Sequence, residues 1–465
     1  MSAPFLWILL PIVFSGILWL PRNQRVVVLL GCTFVFFLTL AAWLLPIEAA
    51  LQIGSFSFKL GSSIDILGRY LILTSPDRPF LALVYGSEFL WFIALAGSNL
   101  SRRLIPLGLV ITALLVASVA VEPYLYAALP IQMAVLLSIP FLAPIGTRPG
   151  RGIMRFLIFQ TLAVPLILFS GWLLTGIEAN SGNLVLILQA SILLGLGFIF
   201  LLAIFPFHSW IPLLTEETSP LTVGFILWIF PTAAMFFGLG LIDRYTWLRD
   251  LANLPMILTG AGVLMVVSGG LLAAFQRHLG RIMGYAVIVE TGYSLLAIGL
   301  GGQTGLNLFY FLLVPRLLSL ITWSFALGIL KENAPSLTMQ GIQGRGRTFP
   351  FAAVGVILAN LSLASLPLLA GFPGHQALWE GLARQSLNRA FWILLGSLGL
   401  FIGAIRTLVA FSEVQEGTPW TAGENWFQRL LMSLAWAALG IFGLFPQWAQ
   451  LLWTKLPAMF EHFLQ

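Results

Sequence analysis

The sequence predicts an all-α polytopic membrane protein of about 14 transmembrane helices, and three observations predict it. Hydrophobic residues make up 59% of the 465 positions and charged residues only 9%, against roughly 25% charged in ordinary soluble domains. Apolar runs of about 20 residues, the length that crosses ~30 Å of hydrocarbon, recur from end to end. Mean hydropathy is +0.97, and the polar connections are too short to coat a soluble core.

Hydropathy and turn signals place the spans near 4–20, 26–46, 80–98, 104–121, 124–145, 154–175, 183–206, 220–242, 253–274, 281–300, 305–330, 350–370, 390–411 and 430–453. The first run, Phe5–Leu20, has no basic residue before it and no small-residue cleavage site behind it, so it reads as a span and not a removable signal. Segment 52–72 alternates polar and apolar residues around Gly61-Ser62-Ser63 and reads as a small external β-hairpin.

Loop charge sets the orientation. Connections after odd-numbered spans hold 14 basic residues, and the even connections with the termini hold eight. The positive-inside rule therefore places the odd connections in the cytoplasm and both termini on the other side. These basic residues are scattered and form no tract, so the net charge of +6 does not point to nucleic acid. Cys32 alone excludes an internal disulfide and an all-cysteine iron–sulfur site. His208, His278, His375 and His462 are far apart and lack metal-ligand spacing, and no Gly-rich phosphate loop follows a strand. No cofactor and no metal are expected.

Two stretches interrupt the apolar pattern. Residues 206–220 read Pro-Phe-His-Ser-Trp-Ile-Pro-Leu-Leu-Thr-Glu-Glu-Thr-Ser-Pro, with residues 208–217 expected as a half-helix or loop. Residues 366–380 carry Pro367, Gly371, Pro373 and Gly374, which predict a second break just before His375 and Glu380. Irregular backbone at membrane depth survives only inside protein or along a wet cavity. Ionisable groups there cost about 2.5–3.5 kcal/mol each and usually mark an ion route. Arg316, near the middle of the eleventh span, demands a partner for the same reason. Paired broken helices suggest two repeats of five helices, and the chain divides into 1–103, 104–242, 253–411 and 412–465.

Three stretches carry a family resemblance. Phe205–Pro212 with Ser219-Pro220 is similar to a Pro-x-His-x-Trp-x-Pro segment followed by Ala-Pro. Residues 274–293 follow a Gln-x-x-x-Lys-Arg…His-x-Gly-Tyr stretch, and Leu366–His375 is similar to a Pro-x-x-x-Gly-Phe-x-Gly-Lys/Glu break. The chain thus resembles, over essentially its whole length, the antiporter-like proton-channel subunits of respiratory complex I (NADH:quinone oxidoreductase) and of multisubunit cation/proton antiporters. The resemblance implies two inverted five-helix repeats around a hydrated polar axis, neighbouring membrane subunits as partners beside the lipid bilayer, and protons moving between charged residues. Sodium is the alternative ion. It also implies no redox cofactor and no redox chemistry in the subunit itself.

The departures from the family pattern are as informative. Leu201 stands where the resemblance implies a seventh-span lysine, Pro231 lies near an eighth-span lysine, and Gln132 or Met133 replaces a fifth-span glutamate. The three lysines, Lys59, Lys331 and Lys455, all fall outside the spans. Leu and Gln have no proton to exchange, so the first half is expected to be inactive as a relay. The second half keeps Glu290, Arg316, His375, Glu380 and Arg406. His375 can titrate near neutral pH, while an arginine stays charged and can only hold Glu290 ionised or orient water. Glu290 with Arg316 serves equally as a static buried pair that fixes helix packing. His208 reads as capping backbone groups freed by Pro206 and Pro212, and Glu216 and Glu217 as a proton route or as charges on the cytoplasmic rim. The leading expectation is a membrane-arm subunit with a partial or degenerate proton path in a plasma or thylakoid membrane. The alternatives are a cation/proton antiporter subunit and a non-conducting spacer.

Overall fold

A computed structural model describes residues 2–21, 23–53, 56–66, 68–98, 103–143, 146, 148–179, 184–413, 420–448 and 456–460. Arg22, Arg102, Lys455 and His462 lie outside them. A π-type turn, Phe5–Leu9, leads into α1 (Leu10–Ile17), and α2 (Gln24–Leu44) follows. Asn23 caps α2 by accepting from the Arg25 N–H at 3.0 Å. Two hairpins come next, β1 (Ala50–Ile53) with β2 (Phe56–Lys59) and β3 (Ser63–Ile66) with β4 (Arg69–Ile72), both antiparallel. After α3 (Arg78–Ala96) and α4 (Leu104–Ala120), the short β5 (Val121–Glu122) adds to β4. The single hairpin expected around Gly61-Ser62-Ser63 is therefore two. The Gly61 segment links them, and each ribbon turns elsewhere, the second at Gly68 with φ 73°.

The remaining helices are α5 (Ala128–Leu142), α6 (Arg151–Ala179), α7 (Leu184–Leu201), α8 (Trp210–Glu217), α9 (Pro220–Arg244), the short α10 (Thr246–Arg249), α11 (Leu254–Phe275), α12 (Leu279–Gly299) and α13 (Gly302–Asn333). Then follow the one-turn α14 (Arg345–Thr348), α15 (Pro350–Leu363), α16 (Gly371–Gln385), α17 (Leu387–Ser412) and α18 (Trp426–Leu444). Among the described residues eleven helices are long and apolar enough to cross a membrane. Three shorter apolar ones, Phe5–Ile17, Leu104–Ala120 and Pro350–Leu363, complete the expected 14. The last span ends at Leu444, earlier than its apolar run, and the segment Leu456–Phe460 tucks back so that the Phe460 ring meets Phe236 at 6.2 Å.

Helices α9, α12 and α13 are almost wholly buried, whereas α2, α7 and α18 face outward. Each central helix is apolar all round, the pattern of a helix enclosed by others. Packing in lipid relies on close fit and not on hydrophobic exclusion, which favours small residues at crossings. At Gly292 an added Cβ would lie 2.9 Å from the Gly262 carbonyl, so α11 and α12 touch backbone to backbone.

The two broken helices end alike. In α7 the Leu202 N–H reaches the Phe198 carbonyl and the Ile204 N–H the Ile199 carbonyl, around Ala203 with φ 55°. In α15 the Ala364 N–H reaches Asn360 and the Leu366 N–H reaches Leu361, around Ser365 with φ 66°. Both are Schellman-type stops whose left-handed residue is not glycine. A proline follows within three residues in each case, Pro206 and Pro367. The second break is earlier than the sequence implies: it covers 364–370, and Gly371, Pro373 and Gly374 already belong to the first turn of α16. A first-turn proline loses no helical bond, because that N–H has no partner within the helix.

Candidate functional site

The breaks and the three buried helices converge on one cluster. Glu290 projects from the middle of α12 and is 2% exposed; His375, in the second turn of α16, is 5% exposed. His375 Nε2 lies 3.1 Å from Glu290 Oε1, within ion-pair range though out of line for a full hydrogen bond. On the other side of the ring, His375 Nδ1 is 2.8 Å from Ser365 Oγ. The stop at the end of α15 thus does chemical positioning: the left-handed Ser365 aims its hydroxyl at the imidazole. Gly371 permits the approach, since a Cβ there would strike the Ser362 carbonyl. Ser362 Oγ accepts from the Gly371 N–H at 3.1 Å and from Ser319 Oγ at 2.9 Å, locking the break against α13.

Tyr293, one turn beyond Glu290, stacks on His375 with ring centres 4.3 Å apart, and its hydroxyl meets Ser397 Oγ on α17 at 2.6 Å. A cleft of about 360 Å³ runs between α16 and α17, lined by Tyr293, Ser365, His375 and Ser397, with the exposed Leu394 and Leu398 on its rim. A carboxyl group, an imidazole and a hydroxyl in succession can pass a proton from group to group, because the imidazole binds at one nitrogen and releases from the other.

Arg316 is placed differently from the expectation. Its guanidinium is buried, yet it is not in ion-pair contact with Glu290. Nη2 donates to the Leu227 carbonyl at 3.3 Å and to Thr291 Oγ1 at 3.4 Å, while Nε and Nη1 have no hydrogen-bond partner. Pro231 is the cause. Standing inside α9, it has no N–H for the carbonyl four residues back, which is that of Leu227. The proline near the expected lysine position therefore supplies an acceptor, and the arginine takes it.

The other expected residues lie away from this cluster. His208 is buried at the break between α7 and α8, its ring stacked on Phe205 at 5.3 Å. Its Nδ1 has no partner, so it does not cap the freed backbone as expected. Burial pushes its imidazole below the ordinary range. Glu216 pairs with Arg281 at 2.6 Å, and Glu217 accepts from the Gly152 N–H at 2.8 Å, capping the start of α6. Both tie the ends of odd-numbered connections together. Glu380 is exposed and bonded to Gln376 at 2.9 Å. Arg406 donates to the Ala274 carbonyl.

In the first half, the positions named for charge hold neutral groups, and Gln132 Oε1 is buried without a partner. Gln132 Nε2 donates to Thr161 Oγ1 at 3.0 Å, and Gln160 Nε2 donates to the Leu201 carbonyl at 3.2 Å. Sequence reasoning missed Ser365, Ser362 and Glu88, a fully buried carboxylate in the middle of α3. A single acid in an apolar run was the available signal for Glu88. No sequence signal marked the serines, which matter only through the shape of the break.

Residues 153–411 match the family described as NADH:quinone oxidoreductase/Mrp antiporter, transmembrane. The chain belongs to that family. NADH-quinone oxidoreductase subunit N 2 of Solidesulfovibrio magneticus is 25% identical over 365 residues, covering 74% of this chain and 77% of the relative. A chain in the structure of the Mrp complex from Dietzia sp. superposes with a TM-score of 0.83 at 15% identity, over 100% of this chain and 99% of that one. A chain of respiratory complex I from Thermus thermophilus gives 0.75 at 21% identity, over 99% of both. These two likenesses establish the fold as antiporter-like and multi-pass, and both structural neighbours sit in multisubunit membrane complexes.

Proposed function

We propose that this chain is a membrane-arm subunit of a complex-I-like oxidoreductase that contributes a partial proton path in its second half, through Glu290 and His375. The observation that carries the reading is the 3.1 Å approach of His375 Nε2 to Glu290 Oε1 at membrane depth, with Ser365 on the opposite ring nitrogen. Arg316 acts as a fixed positive charge that biases the path without itself giving up a proton. His208 stands near the mouth of the first break, and Glu216 and Glu217 serve the rim. The first half, 104–242, acts as the repeat partner of 253–411. The connections after odd-numbered spans face the cytoplasm, in a plasma or thylakoid membrane.

The likeness to the Mrp complex supports a second reading, a subunit of a cation/proton antiporter. Co-purifying subunits and a sodium requirement for transport separate the two. The decisive experiment is His375→Ala in vesicles bearing the whole complex. Proton uptake is expected to be lost while assembly stays intact. Unchanged uptake would sink the path and leave a spacer.

A further inference from the structure

We propose that Glu88 is a proton-binding site on α3, a carboxylic acid that takes up and returns a proton at membrane depth. Glu88 sits in the middle of α3 with 0% of its surface exposed. Neither carboxyl oxygen has a partner in hydrogen-bond geometry, and among the described residues no basic side chain comes within 4.0 Å of it. Its Oε1 lies 3.7 Å from where a Cβ on Gly108 of α4 would stand, so the carboxyl packs directly against α4. The Thr112 hydroxyl, one turn further along α4, is the polar group that faces it. Thr112 Oγ1 and the indole nitrogen of Trp91, one turn on from Glu88, are also buried without partners.

A bare carboxylate in such surroundings costs several kcal/mol in lost hydration. The neutral acid is the form compatible with that burial, and it carries its own donor for Thr112. A metal cation does not fit, since hard cations take six or more oxygens and Thr112 offers one. The site is also joined to the centre of the molecule. Ser87 accepts from Trp228 Nε1 at 2.8 Å, and Trp228 follows Leu227, whose carbonyl holds Arg316. Glu88 thus places a protonatable group on α3, packed against α4 at the start of 104–242, which lacks the expected lysine and fifth-span glutamate. The step is simple: the carboxylate gains an O–H bond from an incoming proton and breaks it on release. The proposal rests on the proton-path reading only for where that proton goes next.

Infrared spectroscopy of the whole complex in liposomes tests it. The wild type should show a protonated carboxyl band that disappears in Glu88→Gln, moves in Glu88→Asp and shifts down after transfer to heavy water. Should Glu88→Gln fail to assemble, dicyclohexylcarbodiimide, which reacts with protonated carboxyls in apolar surroundings, should leave an adduct on the Glu88 peptide of the wild type. No band of its own, a band unmoved by heavy water (an acid locked to Thr112), or no adduct would each overturn the proposal. Unchanged uptake in His375→Ala would remove the proton-path reading and leave the Glu88 band in place, so the two failures are distinguishable.

Discussion

The Leu227 carbonyl accepts a hydrogen bond from Arg316 Nη2 at 3.3 Å because Pro231 has no N–H to offer it. A defect in one buried helix is thereby repaired by a cation from another. The repair satisfies a backbone acceptor and part of a guanidinium together, at a depth where either alone is expensive.

That relationship predicts non-additive mutations. Arg316→Met leaves the Leu227 carbonyl without a donor, at a cost of about 1–3 kcal/mol. Pro231→Ala added to it returns a helical N–H to the carbonyl and should recover most of the loss. Thermal unfolding of the single and double variants should give a coupling of about 0.5–3 kcal/mol; strict additivity would refute the tie.

Ser365 carries two opposed effects that two variants separate. Ser365→Ala keeps the left-handed backbone and loses the bond to His375 Nδ1, about 1 kcal/mol. Ser365→Gly loses the same bond and relieves a strain of roughly 1–2 kcal/mol. Melting temperature should therefore fall more in the alanine variant, and the reverse order would show that Ser365 is unstrained.

Leu201→Lys should not revive the first half. Leu201 is 3% exposed and belongs to the hydrophobic core. A lone buried ammonium costs about 2.5–3.5 kcal/mol. Lower thermal stability without any gain in proton uptake is the expected result, and a gain would mean that a partner lies within reach.

His208 gives a pH dependence of known sign. Its imidazole titrates below the ordinary 6.5 because burial disfavours the cation, so the unfolded chain takes up the proton first as pH falls. Its contribution to stability is complete above 6.5 and is lost as pH drops through the folded value. Phe205 and Tyr285 flank the ring, and Arg155 reaches the adjacent Ser209 at 3.4 Å. His278 shifts the same way, chiefly by burial, with Glu216 opposing and Arg281 and Lys331 reinforcing it. His208→Phe should therefore reduce, without abolishing, the fall in unfolding temperature between about pH 7 and pH 5. An undiminished slope would contradict the assignment.

The spans were legible because lipid leaves few solutions: apolar runs of sufficient length become helices whatever their neighbours. Both breaks were legible for the same reason, through Pro206 and Pro367. Their details were not. Gly371, Pro373 and Gly374 look like breakers in a string of letters, yet they open α16, because a first turn has no bonds to break. The hairpins were merged into one, since alternation marks strands but not which glycine turns them. At the site, sequence brought forward Glu290, Arg316 and His375 as buried and ionisable. It paired the wrong two, because opposite charge ranks partners in sequence while a vacated carbonyl, the actual attraction for Arg316, carries no letter. Glu88 carries no motif: it is one acid in the apolar run of the third span, whereas the resemblance implies an acid on the fifth.

The link from Arg316 to Leu227 has a mechanical side. It joins α13 to α9, two of the buried central helices. A push along α13 would be handed to α9 as a tug on its kink, and a straightened kink would loosen Arg316 in return. The two helices are coupled like carriages on one drawbar.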